Sequence, residues 1–273
     1  MSHPFRDAAL LGAVQGVTEF LPISSDGHLA LVEMLFKIDE GSLTFNVMLH
    51  AGTLLATALM MREKMGRLLI DGARALPRPS TLPDSPGGRD ALVVLLASIP
   101  TAVIGLLLRD AVERWTASPW VVGLGFLATS ACVVSTMWVR PGTRDVPSYF
   151  GSVLVGIAQG LAVLPGFSRS GATITSALWL GVRPERAFEL SFLMSLPAVF
   201  GAIALESRHA IHESFPAGPA LIGAAVAFVT GLAAIAVLRR VVIGGRFGLF
   251  AIWTLPLALA TLAMAAVWPL KVH

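Results

Sequence analysis

Apolar residues run along this chain in blocks close to the roughly 20 residues that an α-helix needs to cross a bilayer. Six blocks fit spanning helices, at 43–61, 91–108, 119–138, 187–204, 218–238 and 247–268. Two further apolar stretches, 5–21 and 148–165, run straight into turns rich in Pro, Ser and Gly. A short apolar piece follows each turn, at 28–36 and 171–181. These pieces are too short and too interrupted for ordinary spans. The pattern predicts two re-entrant helix–turn–helix hairpins, 5–36 and 148–181, tolerated at membrane depth only where they line a cavity. The expected fold is an all-α polytopic membrane protein with six transmembrane helices and two re-entrant hairpins.

Composition agrees. Of 273 residues, 55% are hydrophobic and 14% charged, against roughly a quarter charged in soluble domains. Mean hydropathy is +0.75. No long polar region divides the chain, so a single integral membrane domain, 1–273, is expected. Glu19 and the Ser24-Ser25 turn interrupt the first apolar stretch, so no cleaved leader is expected. Cys132 is the one cysteine, which rules out an intrachain disulfide and argues against a thiol metal site. The net charge of +3 is spread among loops, and nucleic acid is not an expected partner.

The basic residues orient the chain. Arg62, Lys64, Arg67, Arg74, Arg78 and Arg89 fall in 62–90. Arg140 and Arg144 fall in 139–148, Arg183 and Arg186 in 182–186, and Arg239, Arg240 and Arg246 in 239–246. Placing these loops in the cytoplasm leaves Arg6, Lys37, Arg109, Arg114, Arg208 and Lys271 outside, in accord with the positive-inside rule. Arg169 is buried in this reading. Segment 62–78 reads as a short amphipathic surface helix. Three spans then separate the hairpins, which enter from opposite faces, as in an inverted-topology repeat with halves near 1–138 and 139–273. An offset of 143 carries Leu21, Pro22, Ser25 and Phe45 onto Leu164, Pro165, Ser168 and Phe188. An offset of 144 carries Gly12, Gln15 and Gly16 onto Gly156, Gln159 and Gly160. The two turns should meet near the bilayer midplane.

The turns carry the chemistry. One reads Gln15-Gly16-Val17-Thr18-Glu19-Phe20-Leu21-Pro22-Ile23-Ser24-Ser25-Asp26-Gly27-His28-Leu29, the other Pro165-Gly166-Phe167-Ser168-Arg169-Ser170-Gly171-Ala172-Thr173. Hydroxyls, a carboxylate, an imidazole and a guanidinium together are the inventory of a phosphoryl-transfer site. No Walker loop, HExxH, CxxC or nucleotide fingerprint is present. Both segments resemble the signature motifs of the undecaprenyl-diphosphate phosphatase family, the BacA-type bacitracin resistance proteins, and the similarity extends over essentially the whole chain. The resemblance implies an integral membrane hydrolase that converts the lipid carrier diphosphate to the monophosphate for cell-wall synthesis. It also implies dependence on a divalent cation, Mg2+ or Ca2+, and a site opening to the periplasm of the bacterial inner membrane.

Glu19 is costly in an apolar helix unless paired or bound to a cation; metal ligand, base and partner of Arg169 are the readings open to it. The family motif begins with Glu or Gln four residues earlier. Here that residue is Gln15, on the same helix face, whose carbonyl oxygen is acceptable to a hard cation. Pro22 should break the helix, and Ser24 then either satisfies freed carbonyls or binds substrate. For Ser25 the resemblance favours a nucleophile or a close phosphate ligand, with Glu19 and His28 as candidate bases. His28 is also a candidate general acid. Asp26 is read as a further cation ligand, a partner for Arg169 or a solvated residue. Arg169 offers the planar fork that suits phosphate oxygens. Ser168, Ser170 and Thr173 add hydroxyls, and Gly166 and Gly171 let a phosphate approach the helix that starts beside them. His50 and Asn46 are cavity or packing residues, and the six Trp residues are assigned to lipid or the interface.

The leading function is hydrolysis of a polyprenyl diphosphate, with membrane lipid around it. The alternative is a polyprenyl-phosphate transporter or flippase, because broken helices in inverted repeats are common in transporters. Attack by serine or by water, the preferred chain length, and a homodimer all remain open from the sequence.

Overall fold

The computed structural model describes residues 4–36, 43–210 and 216–267, with the side chains of 33–36, 43 and 208–210 left aside. Lys37, Lys271 and the side chain of Arg208, counted above as outer charges, lie outside that description. The helices are α1 (Pro4–Thr18), α2 (Ser25–Phe36), α3 (Leu43–Met60), α4 (Arg62–Ala75), α5 (Pro86–Thr116), α6 (Pro119–Ser135), α7 (Tyr149–Leu161), α8 (Arg169–Trp179), α9 (Pro184–Ala210), α10 (Ala217–Ile243) and α11 (Ala251–Val267). An isolated bridge between Arg144 and Val182 is the only extended pairing among the described residues.

Five segments are long and apolar enough to cross a membrane: Pro86–Thr116, Pro119–Trp138, Pro184–Ser207, Ala217–Ile243 and Phe247–Val267. A sixth candidate is α3 taken together with α4, which turns aside from it by 77°. Sequence reading shortened α5, because it stopped at Arg109 while the helix runs on through Arg114. The pairs α1–α2 and α7–α8 are the two hairpins, and none of their four limbs exceeds 15 residues.

The two halves interlock. Limb α1 packs along α10 of the second half, and α7 packs along α5 of the first. Both contacts are made through glycine. A Cβ on Gly12 would run into the Gly223 carbonyl, and one on Gly156 into that of Ala97. Gln15 meets His50 of α3, and Gln159 meets the Met194 carbonyl of α9, positions that are again 144 apart (15 to 159, 50 to 194). The repeat read from the sequence is thus a repeat of contacts.

Three of the basic segments assigned to one face, 62–90, 139–148 and 182–186, meet at one end. The Arg144 N–H donates to the Gly181 carbonyl and the Arg183 N–H to the Arg144 carbonyl. Lys64 of α4 reaches Glu189 of α9 at 2.8 Å. Arg186, counted in the sequence as a loop charge, is instead buried at the start of α9. Its guanidinium pairs with Asp90 of α5 and with Glu189, and its Nε donates to the Asp145 carbonyl. A buried cation survives only with such partners, so this network ties α4, α5 and α9 together.

Candidate active site

Both hairpins restart their second helix in the same way. Ser168 caps α8, its Oγ accepting the Gly171 N–H at 3.2 Å. Ser24 caps α2, its Oγ accepting the Gly27 N–H at 3.3 Å. Such caps satisfy one of the four N–H groups that a helix start leaves without intrahelical partners. They also fix the register. Ser24 corresponds to Ser168, so Ser25 corresponds to Arg169, one residue away from the pairing that the Leu-Pro offset gives. The reason is local: one residue separates Pro22 from its capping serine, and two separate Pro165 from Ser168.

Helix α6 is the platform for both turns. Thr129 donates its hydroxyl to the Gly166 carbonyl and accepts the Ser168 N–H, each at 2.8 Å. Gly166 has φ +86°, a left-handed conformation that favours glycine, and its Cα lies close against Gly27 of the other turn. Phe126, fully buried, backs Gly27 and presents its edge to His28 with centroids 5.4 Å apart.

Glu19 sits at the centre. Its backbone N–H donates to the Gln15 carbonyl, which continues the last turn of α1 past Thr18. Oε2 accepts the Ser25 hydroxyl at 2.7 Å and the Gln15 amide at 3.2 Å. Oε1 pairs with Nη2 of Arg169. The side chain is 6% exposed and that of Arg169 21%. Nη1 of Arg169 and Oε1 of Gln15 are buried with no hydrogen-bond partner among the described residues. Ser170 Oγ lies 3.2 Å from Ser168 Oγ. Thr173 donates to the Arg169 carbonyl and meets Ser191 Oγ at 2.6 Å. A small cavity opens beside the pair, walled by Glu19, Phe20, Arg169, Ser170, Ser191 and Ser195.

Of the two candidate bases, Glu19 makes the bond to Ser25. His28 has both ring nitrogens engaged elsewhere: Nδ1 with the Ser24 carbonyl at 2.8 Å, and Nε2 with the Trp253 indole N–H at 3.0 Å. Asp26 is exposed, on the side of the site within electrostatic range of His50, Glu19 and Arg169. No cluster of three His, Cys, Asp or Glu occurs among the described residues. The oxygen donors near the site are Glu19, Gln15 Oε1 and Asp26. This set suits a hard cation that keeps waters and shares a phosphate rather than one caged by protein.

Sequence reasoning missed Thr129, Gly125, Ser191 and Trp253. Thr129 and Gly125 sit mid-span; a Cβ on Gly125 would run into the Pro165 carbonyl, and only such contact with the second turn reveals them. Ser191 and Ser195 stand four apart on α9, a spacing that puts both on one face and was the available signal.

The comparisons with known proteins follow this geometry. The family model for bacitracin resistance protein BacA matches residues 8–260. The undecaprenyl-diphosphatase of Korarchaeum cryptofilum is 37% identical over 260 residues, covering 94% of this chain and 98% of its own. That of Desulforapulum autotrophicum is 39% identical over 256 residues, covering 89% and 91%. That of Rubrobacter xylanophilus is 41% identical over 218 residues, covering 78% and 80%. With both hairpin turns and nearly all of the helices inside the matched region, the chain belongs to the bacitracin resistance protein BacA family.

Proposed function

We propose that this protein hydrolyses undecaprenyl diphosphate to undecaprenyl phosphate and inorganic phosphate, with Ser25 as nucleophile. The observation that carries the reading is the Ser25 hydroxyl donating to Glu19 Oε2 at 2.7 Å while Arg169 grips the other carboxylate oxygen. A nucleophile, a base and an orienting group in hydrogen-bond reach are what covalent catalysis needs.

Ser25 Oγ attacks the terminal phosphorus as its proton passes to Glu19. The bridging P–O bond breaks, and the lipid leaves as monophosphate, taking the proton from Glu19. Water then attacks the phosphoserine and gives a proton to the freed Glu19 carboxylate; the P–Oγ bond breaks, Ser25 Oγ takes that proton back, and inorganic phosphate departs. Charge on the transferring group is met by Arg169, whose Nη1 has no partner among the described residues to give up. Further donors are the first-turn N–H groups of α2 and α8 that the Ser24 and Ser168 caps leave over, which follow on Ser25 and Arg169. The Ser170 hydroxyl lines the Arg169 side of the cavity, while those of Ser168 and Thr173 hold the turn behind it. Glu19, Gln15 Oε1 and Asp26 are the residues that would hold a divalent cation, Mg2+ or Ca2+, which would supply further charge neutralisation.

A flippase needs cationic groups for a phosphate but not a serine bonded to a carboxylate. Phosphate release from a polyprenyl diphosphate by protein in detergent, with no membrane gradient, tests the hydrolase reading; absence of release would favour transport. The protein acts in the bacterial inner membrane with the site open to the periplasm. Cysteines at 76 and 143, on a Cys132→Ser background, should resist an impermeant thiol reagent added from outside, and one at 117 should react. Labelling of 117 and 143 from the same face would overturn that orientation.

A further inference from the structure

We infer that Trp253 is a positioning residue for this reaction, and that its indole N–H holds His28 in one tautomer that braces the Ser24 carbonyl and thereby aims Ser25. The inference rests on the reading of Ser25 as nucleophile.

The bonds define the tautomer. A backbone carbonyl only accepts, so Nδ1 of His28 carries the proton it donates to Ser24 at 2.8 Å. An indole N–H only donates, so Nε2, 3.0 Å from Trp253, is bare. The two ring planes lie 11° from parallel with centroids 6.1 Å apart. With the N–H to N contact this is an edge-to-edge arrangement, not a face-to-face stack. Phe126 closes a second side of the imidazole, at 83°. His28 in this state has no lone pair left to take a proton from Ser25.

The braced carbonyl matters because its residue is strained. Ser24 has φ +66° and is the only non-glycine at positive φ among the described residues. A residue in such a conformation persists only where its surroundings over-determine it. Here Ser24 Oγ holds the Gly27 N–H, and its carbonyl receives both the backbone N–H of His28, at 3.3 Å, and the imidazole Nδ1–H. The next residue is Ser25. Trp253 stands at the outer surface of α11, 56% exposed, in the place of an ordinary lipid-facing aromatic. Its N–H is turned inward to His28.

Two substitutions at His28 separate a brace from a proton carrier. His28→Asn keeps a donor near the Nδ1 position but has no acid–base chemistry; His28→Ala keeps neither. We expect His28→Asn to stay within about tenfold of wild-type kcat and His28→Ala to fall by more than about a hundredfold, as for loss of aim at a reacting centre. Trp253→Phe removes the N–H donor together with the five-membered ring that carries it, and should lower kcat by about five- to tenfold with KM unchanged, as for one hydrogen bond. The 15N spectrum of histidine-labelled protein in detergent, with His28 assigned from the His28→Asn variant, should show a protonated Nδ1 and a bare Nε2. The Nε2 signal should shift in Trp253→Phe. Equal inactivity of His28→Asn and His28→Ala, or a wild-type His28 protonated at Nε2, would overturn the inference. The spectrum does not depend on turnover, so an error in assigning Ser25 would show separately, as persistent hydrolysis by Ser25→Ala.

Discussion

Ser25 and Arg169 hold opposite oxygens of the Glu19 carboxylate, and each is the first residue of its helix after a capping serine. The repeat therefore brings the same position of its two halves to one carboxylate. In one half that position carries a hydroxyl, in the other a guanidinium. The asymmetry of the site comes from such divergences: the 144-residue offset that sets Ser25 on Arg169 also sets Glu19 on Val163 and His28 on Ala172.

The Glu19–Arg169 pair should behave as a buried ion pair. Removing one partner leaves the other charge stranded, at a cost of about 3–5 kcal/mol, while replacing both is far milder. Glu19→Gln and Arg169→Met should each lower the midpoint of thermal unfolding in detergent, and the double variant should recover most of the loss. Hydrolysis should fall by about 10²–10⁴ in Glu19→Gln, as for a lost general base, and should not return in the double variant. Additive destabilisation would mean that the two residues do not support each other.

Thr129 tests the platform under the second turn. Thr129→Val keeps the shape but strands the Ser168 N–H and the Gly166 carbonyl, each about 1–3 kcal/mol when buried. Lower stability and lower kcat are expected together, because Arg169 follows directly on Ser168. Wild-type kinetics in a folded Thr129→Val protein would show that the turn is held by other means.

Arg186 separates stability from catalysis. Arg186→Ala leaves Asp90 and Glu189 without their shared cation, and a loss of about 3–5 kcal/mol is expected. Below the unfolding midpoint kcat should stay close to wild type. A fall in kcat without a fall in stability would tie this network to the reaction instead.

Chelation tests the cation. EDTA should remove activity, and Mg2+ or Ca2+ should restore it. Asp26→Asn should raise the cation concentration needed for half-maximal rate, because a neutral amide is a weaker ligand for a hard ion. An unchanged requirement would exclude Asp26 from that role.

Much of this was legible in the sequence because lipid leaves few options. Polar residues at membrane depth need a reason, so Glu19, Ser24, Ser25 and Arg169 announced themselves, and the broken apolar blocks announced the hairpins. What sequence could not supply was register across space. The Leu-Pro anchors aligned Ser25 with Ser168, and only the cap hydrogen bonds revealed the one-residue slip that aligns it with Arg169. Sequence places Trp253 at lipid or the interface by the default for Trp in a membrane protein, and its 56% exposure agrees; the direction of its N–H is a tertiary fact. Arg186 was counted as a loop charge because its partners, Asp90 and Glu189, come from other parts of the chain or a later helical turn.

The central claim is that the phosphoryl group passes through Ser25. Protein mixed with a polyprenyl diphosphate labelled with 32P in the terminal phosphoryl group, quenched in acid within a turnover, should carry label in a peptide that contains Ser25. Ser25→Ala should carry none and should lose steady-state hydrolysis. No labelled peptide, together with robust turnover by purified Ser25→Ala, would contradict the account and leave water as the attacking group.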